Sequence, residues 1–268
     1  MPLEVPLAAW VAFHVWVLVM LALDLGVWHR EARVVSAREA ALWTGLWVVA
    51  ALIFAGVLSV RASGHVGLTF LTGYLIEESL SADNVFVIAA IFAYLQIPVQ
   101  YQHRVLFWGI LGALVMRGAF IGGGAYLFAH FTWTDYIMGA ILLVAAARMA
   151  FRREAAIDAE GNLVLRFLRR FLPVSAALDG QRLVTREGVR WVGTPLLVAL
   201  LMIELSDVAF ATDSIPAVFS VTRNPFIVYT SNVFAVFGLR SLYFLVAAAA
   251  ARYRYLPYGL AAVLAFTG

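Results

Sequence analysis

The sequence predicts an all-α polytopic membrane protein of about seven complete spans and a partial eighth. Three observations predict it. Hydrophobic residues make up 63% of the 268 residues, and mean hydropathy is +0.90, beyond the apolar share of a soluble domain. Apolar runs long enough to cross a bilayer recur along the chain and do not alternate as barrel strands do. Arginines gather in alternate loops, the pattern that membrane topology imposes.

Composition excludes several classes. There is no cysteine, so these residues offer no disulfide and no thiolate metal site. Every basic side chain besides histidine is arginine. The pI near 9.4 reflects arginines in loops, not a soluble basic face, so no nucleic acid partner is expected.

Span one covers residues 7–28. The first 28 residues lack the basic start and small-residue cleavage site of a signal peptide. Asp24 lies near the end of this span, where a carboxylate reaches the headgroups or turns inward. Arg30, Arg33 and Arg38 follow. Span two, Ala40 to Val60, carries Trp43 and Trp47, suited to an interfacial belt. Span three is 68–94. Span four, Val105 to Phe128, contains Arg117 and a G-x-x-x-G from Gly118 to Gly122 that runs on into Gly123 and Gly124. Such spacing lets helices approach closely. Span five runs from Trp133 to Ala150.

The one long polar loop, 151–194, is basic and reads as a cytoplasmic anchor. Within it, Leu165, Leu168 and Leu172 share one face of a short helix suited to the membrane surface. Arg182 to Val192 alternates around Glu187-Gly188 and reads as a hairpin. Span six is Pro195 to Val221. Span seven, Phe226 to Ala251, contains Arg240. Residues 257–268 begin an eighth apolar segment too short to cross. With the N-terminus outside, Arg30, Arg33, Arg38, Arg104, Arg148, the long-loop set, Arg252 and Arg254 fall inside. Only Arg61 and Arg223 fall outside. That is the positive-inside arrangement of a multi-pass cell-membrane protein with loop 151–194 in the cytoplasm.

Two acidic stretches sit inside spans. Ile76 to Val87 holds Glu77, Glu78, Asp83 and Asn84; Ile203 to Pro216 holds Glu204, Asp207, Asp213 and Ser214. Each ionisable group at that depth costs roughly 2.5–3.5 kcal/mol on insertion scales. Such groups persist where they face a cavity, a partner or an ion. A shift of 130 positions (77 to 207, 83 to 213, 84 to 214) superposes Glu77 on Asp207, Asp83 on Asp213 and Asn84 on Ser214. Each acidic span is followed by one with a central arginine. The acidic spans are three apart and cross in opposite senses, as in an inverted-topology repeat.

On a regular helix Glu77, Ser81 and Asn84 share a face, as do Glu204, Asp207, Ala211 and Ser214; Asp83 and Asp213 fall off those faces. Convergence of every acid therefore requires broken helices. The poor helix formers from Ser79 to Asn84, and Pro216 after Asp213, point the same way. Carboxylate, amide and hydroxyl ligands without cysteine suit Mg²⁺, Ca²⁺ or Mn²⁺. The chemistry does not choose among them. Arg117 and Arg240 are either permanent counter-ions of the acids or gating groups that a cation displaces.

The motifs E-E-S-L-S-A-D-N-V-F-V (Glu77 to Val87) and E-L-S-D-V-A-F-A-T-D-S-I-P-A-V (Glu204 to Val218) resemble the TerC/Alx family of integral membrane proteins. F-G-L-R-S-L-Y-F (Phe237 to Phe244) and D-L-G-V-W-H-R (Asp24 to Arg30) fit it too. The family is named for tellurite resistance. The resemblance implies manganese export within the lysine-exporter-like superfamily, and it brings Asp24 into the site. Relatives continue through a complete last span, whereas this chain ends at Gly268.

The sequence thus predicts a divalent-cation exporter, not an enzyme, with Mn²⁺ as substrate, proton exchange as a coupling route and no organic cofactor. The expected metal ligands are Asp83, Asp207 and Asp213, with Glu77, Glu78, Glu204, Asp24, Asn84 and Ser214 completing the shell. The lipid bilayer and the cation are the expected partners, with a homo-oligomer or a membrane-protein partner left open. An intramembrane aspartyl protease would use paired aspartates, but its G-x-G-D and P-A-L signatures are missing. The alternative is a membrane partner of secretion or metallation machinery, linked to tellurite resistance without transport and docking through loop 151–194.

Overall fold

The computed structural model describes residues 5–23, 35–134, 136–141, 143, 173–175, 177–188 and 190–252, without the side chains of Ala82, Asp83 and 248–252. Its elements are α1 (Leu7–Leu23), α2 (Ala37–Arg61), α3 (Gly64–Tyr94), α4 (Val99–His130), β1 (Val184–Glu187), β2 (Arg190–Gly193), α5 (Pro195–Val221) and α6 (Pro225–Arg252). Among the described residues four helices, α2, α4, α5 and α6, are long and apolar enough to cross a membrane. The 31-residue α3 has the length but carries the acids. The end of span one with Asp24, most of span five, the 163–172 helix and the eighth segment lie outside the described residues.

Local chemistry sets the helix starts. Ser36 accepts a hydrogen bond from Glu39 N at 3.2 Å, and Ser63 from Val66 N at 3.4 Å. Each satisfies one amide that a first turn leaves orphaned. Asn224 accepts from Phe226 N and Ile227 N at 3.0 and 3.4 Å and opens α6. Proline at the first position suits α5, where a missing donor costs nothing.

The expected breaks in the acidic helices do not occur: α3 and α5 are continuous α-helices through every acid. In an apolar surrounding every backbone group must be bonded within its helix, and this outweighs propensity. The hydroxyls conform, because Ser79 Oγ donates back to Leu75 O at 2.7 Å and Thr212 Oγ1 to Val208 O at 3.0 Å. Pro216 is buried inside α5 without ending it.

Helices α3 and α5 run antiparallel. Gly73 faces Val218, Glu77 meets Ser214, and Asn84 shares a cavity with Asp207, so the pairing climbs one helix as it descends the other. Two apolar clusters close the bundle on either side. One gathers Phe70, Ile121, Phe219 and Phe234; the other gathers Phe92, Leu106, Leu196 and Phe244. The polar positions of α3 and α5 lie between them. The outer faces are apolar too, with Leu42, Leu52 and Ile53 on α2 exposed. This reverses the usual amphipathic order and suits a lipid surround.

Two expectations about packing change. Trp47 does not sit in a belt; it is buried and stacks on Phe237 at 4.6 Å. In the glycine run only Gly118, beside Tyr229, and Gly124, beside the Phe219 ring, meet a neighbour, while Gly122 and Gly123 face open space. Among the described glycines a closer helix approach is at Gly67, where a Cβ would overlap Ser59 and the Ala55 carbonyl of α2.

The hairpin is present, with Arg186 opposite Trp191 and Glu187 opposite Arg190. Gly188 takes a positive φ of 62° at its turn, the conformation that only glycine adopts without strain. Asp179 ties its base: Thr185 Oγ1 donates to it at 2.6 Å and Arg182 at 3.2 Å. The Thr185 hydroxyl holds that carboxyl below the usual range.

Candidate functional site: a buried acid network beside a cavity

Arg117 of α4 organises the middle of the bundle. It is 2% exposed. Its Nη2 and Nε donate to both oxygens of Asp207 on α5, at 2.7 and 3.1 Å. Its Nη1 donates to Glu77 Oε1 on α3 and, at 2.8 Å, to Asn232 Oδ1 on α6. One guanidinium thus joins four helices through the fork geometry that lysine lacks. Glu77 is fully buried, and its Oε1 also accepts from Ser214 at 3.3 Å and Ser81 at 3.5 Å.

The cavity opens on the other side of Asp207. It measures about 40 Å³, room for an ion or a few waters, since one water takes roughly 10–15 Å³ on this measure. Asn84, Glu204, Ser206, Asp207 and Arg240 bring polar groups to an otherwise apolar lining. Asn84 is 4% exposed and its Oδ1 has no hydrogen-bond partner among the described residues. A buried amide oxygen left so is costly unless a ligand meets it. The Glu204 carboxylate lies over Gly112 of α4, where a Cβ would overlap it.

The structure sorts the expected site residues. Glu204, Asp207 and Asn84 share the cavity, with Arg240 in its wall. Glu77 and Ser214 do not line it; they belong to the Arg117 network. Glu78 is on another side of α3, with its carboxylate against Gly238 of α6. Asp213 is half-buried and turned away, as its angular position on a straight helix requires. Asp24 and the Asp83 side chain lie outside the described residues. Among the described residues no three acids or histidines converge in metal-binding geometry. A cation here would rest on two acids, an amide and a hydroxyl.

The sequence reading missed Asn232 and Gly112. Thr230, Ser231 and Asn232 are fully buried in apolar α6, and an amide inside a span was a signal open to the same cost argument applied to the acids. Gly112 gave no signal, because its role depends on which side chain leans on it.

The family model of the integral membrane protein TerC family matches residues 62–268. An uncharacterised membrane protein of Myxococcus xanthus is 48% identical over 259 residues, which is 97% of this chain and 81% of that one. Proteins named membrane-bound redox modulator Alx are similar as well. That of Escherichia coli strain K12 is 42% identical and that of Photorhabdus laumondii 41% identical over 268 residues, with 97% of this chain and 84% of theirs covered. No solved structure matches.

Proposed function

The chain belongs to the TerC family of integral membrane proteins, and we propose that it exports a divalent metal cation, Mn²⁺ foremost, across the cell membrane. One observation carries this reading. A small cavity between two apolar layers receives two carboxylates and a buried amide oxygen that no described residue satisfies. Oxygen ligands of that kind suit hard divalent cations. The resemblance to the TerC/Alx family, which implies manganese export, selects Mn²⁺.

In this reading Glu204, Asp207 and Asn84 hold the ion, and Ser206 or water completes its shell. Arg117 keeps Asp207 aimed, and Glu77 and Ser214 hold Arg117 in place. Asp83 and Asp24 remain proposed ligands on the strength of the motif and the resemblance, while Asp213, which does not line the cavity, serves the path by which the ion arrives and leaves. Carboxylates that take up protons as the metal departs give antiport. The antiparallel crossing of α3 and α5, with Glu77 beside Ser214 and Asp207 across the cavity from Asn84, supports an inverted repeat as the basis of alternating access. The N-terminus lies outside and loop 151–194 in the cytoplasm. These residues contain no cysteine, so a thiol-based redox role has no residue here to act through.

The test is Mn²⁺ content of cells lacking their own exporter. The wild-type chain lowers it several-fold, and Glu204→Gln, which breaks no described ion pair, returns it to the empty-vector level. Undiminished efflux by Glu204→Gln at equal membrane abundance overturns the assignment.

A further inference from the structure

We propose that a cavity where α4 and α5 end binds a membrane phospholipid by its phosphoethanolamine headgroup. The cavity measures about 360 Å³, against about 40 Å³ beside Asp207. That is the size of a small-molecule pocket, roughly 300–1,000 Å³. Its walls are Phe128 of α4, Met138 and Gly139 of the helical residues 136–141, and Pro216 and Phe219 of α5. Thr222 and Arg223, just past α5, complete it.

Depth names the kind of ligand. Helices α4 and α5 are both long and apolar enough to cross a membrane. Their ends lie side by side, with the Phe128 and Phe219 rings 5.1 Å apart. Spans that end together do so where acyl chains meet headgroups. Phe131, Trp133 and Tyr136 follow α4 and are exposed, as aromatic side chains of a membrane interface are. A cavity at that level offers its apolar walls to an acyl chain and its polar end to a headgroup.

Charge names the headgroup. Arg223 stands over the Phe128 ring, 5.4 Å from its centre, a contact that helps to place the cation. It has another contact as well, and five N–H donors leave room for a phosphate beside it. Thr222 Oγ1 accepts from Asn224 N at 3.2 Å, which leaves its hydroxyl proton to donate. The opposite sign is present too. Helix α5 ends at Val221, and the last carbonyls of a helix have no amide partner within it. Phe219, Ser220 and Val221, which carry three of them, line the cavity. A helix C-terminus favours a positive group. A primary ammonium can also donate hydrogen bonds to those oxygens, whereas a quaternary one cannot. An arginine beside carbonyls therefore fits phosphoethanolamine better than phosphocholine or phosphoglycerol. The inference needs only the membrane setting and goes beyond cation export.

The experiment uses the full chain, delipidated in a neutral sugar detergent. Its unfolding temperature is read against dihexanoyl phosphatidylethanolamine, phosphatidylcholine and phosphatidylglycerol, and against free phosphoethanolamine. A ligand that binds only the folded state raises that temperature in a saturable way. Phosphatidylethanolamine is expected to raise it by several degrees, and the other two lipids by less than half as much. Free phosphoethanolamine, without acyl chains, should do little. Arg223→Gln removes the cation. Gly139→Leu fills the cavity from a position whose Cβ would meet nothing within 4 Å. Each should lose most of the phosphatidylethanolamine advantage. Equal responses to the three lipids overturn the site, as a lipid surround without recognition. A preference kept in both variants overturns its location. A response to free phosphoethanolamine equal to that of the lipid overturns lipid as the ligand. None of these outcomes touches the exporter reading, and a chain that shows the preference but exports no Mn²⁺ overturns that reading alone.

Discussion

The two ends of the α3–α5 crossing contain the same kinds of group and differ in what they leave undone. At one end Glu77, Ser214 and Arg117 are joined by hydrogen bonds and buried. At the other, Asp207 and Asn84 stand with Arg240 around a cavity of about 40 Å³, and no described residue pairs with the amide oxygen. An acid, a small polar side chain and an arginine occur at both. The closed end has converted its polar groups into a joint between helices. The open end has kept space, and space with unmatched oxygens is what lets a site accept and release an ion. Asp207 belongs to both ends, because Arg117 reaches across to it.

The comparison is most exposed at its shared members. Arg117→Leu would leave Glu77 and Asp207 buried without a cation and should cost about 3–5 kcal/mol, the usual loss when one partner of a buried pair is removed. Unfolding in detergent measures it, and a loss near zero would show that the closed end is no joint. Next comes Asp207→Asn, expected to end Mn²⁺ efflux and to lower stability as well. Glu204→Gln should end efflux with little change in stability, because no described group depends on its charge. If the two variants behave alike, the division between the ends fails.

Smaller effects sharpen the contrast. Gly112→Ala would push the Glu204 carboxylate aside and weaken Mn²⁺ binding on the order of tenfold, about 1.4 kcal/mol, as read by titration calorimetry. Ser214→Ala should cost about 1 kcal/mol of stability, the typical worth of one hydrogen bond, and spare efflux. Asn84→Ala should do the reverse. The least effect is expected far from the bundle. Asp179 has a depressed pKa when folded, so its tie to the hairpin is complete above the ordinary carboxylate range. The tie is lost as pH falls through the lowered value. Resonances of the β1–β2 amides followed through an acid titration would show this, and Thr185→Val should move the change to higher pH.

Much of this was legible in the sequence. The four described helices long and apolar enough to cross a membrane follow from apolar length, because a bilayer needs a fixed thickness of apolar chain. The hairpin followed from alternation about Gly188. The faces shared by Glu77, Ser81 and Asn84, and by Glu204, Asp207 and Ser214, followed from helical period alone. The inference failed where it asked for deformation. Bringing Asp83 and Asp213 to those faces required broken helices, and Pro216 invited that step. Bonding within an apolar surround kept α3 and α5 continuous, so Asp213 stayed aside. Trp47 shows the same limit, since a tryptophan near a span end suits an interface equally well until Phe237 is seen to cover it.

By itself the sequence determined the membrane class, the two acidic turns, their matched spacing and the arginines that follow each one. All of these are properties of residue type and interval. Tertiary structure decided which acid pairs with which arginine, that Glu77 is consumed by Arg117 while Glu204 is not, and that the space lies beside Asn84 and not beside Ser214. A side chain's period places it on a face of its own helix. Whether that face meets a guanidinium, a glycine or a cavity depends on the helix packed against it, and no interval along one chain segment contains that information.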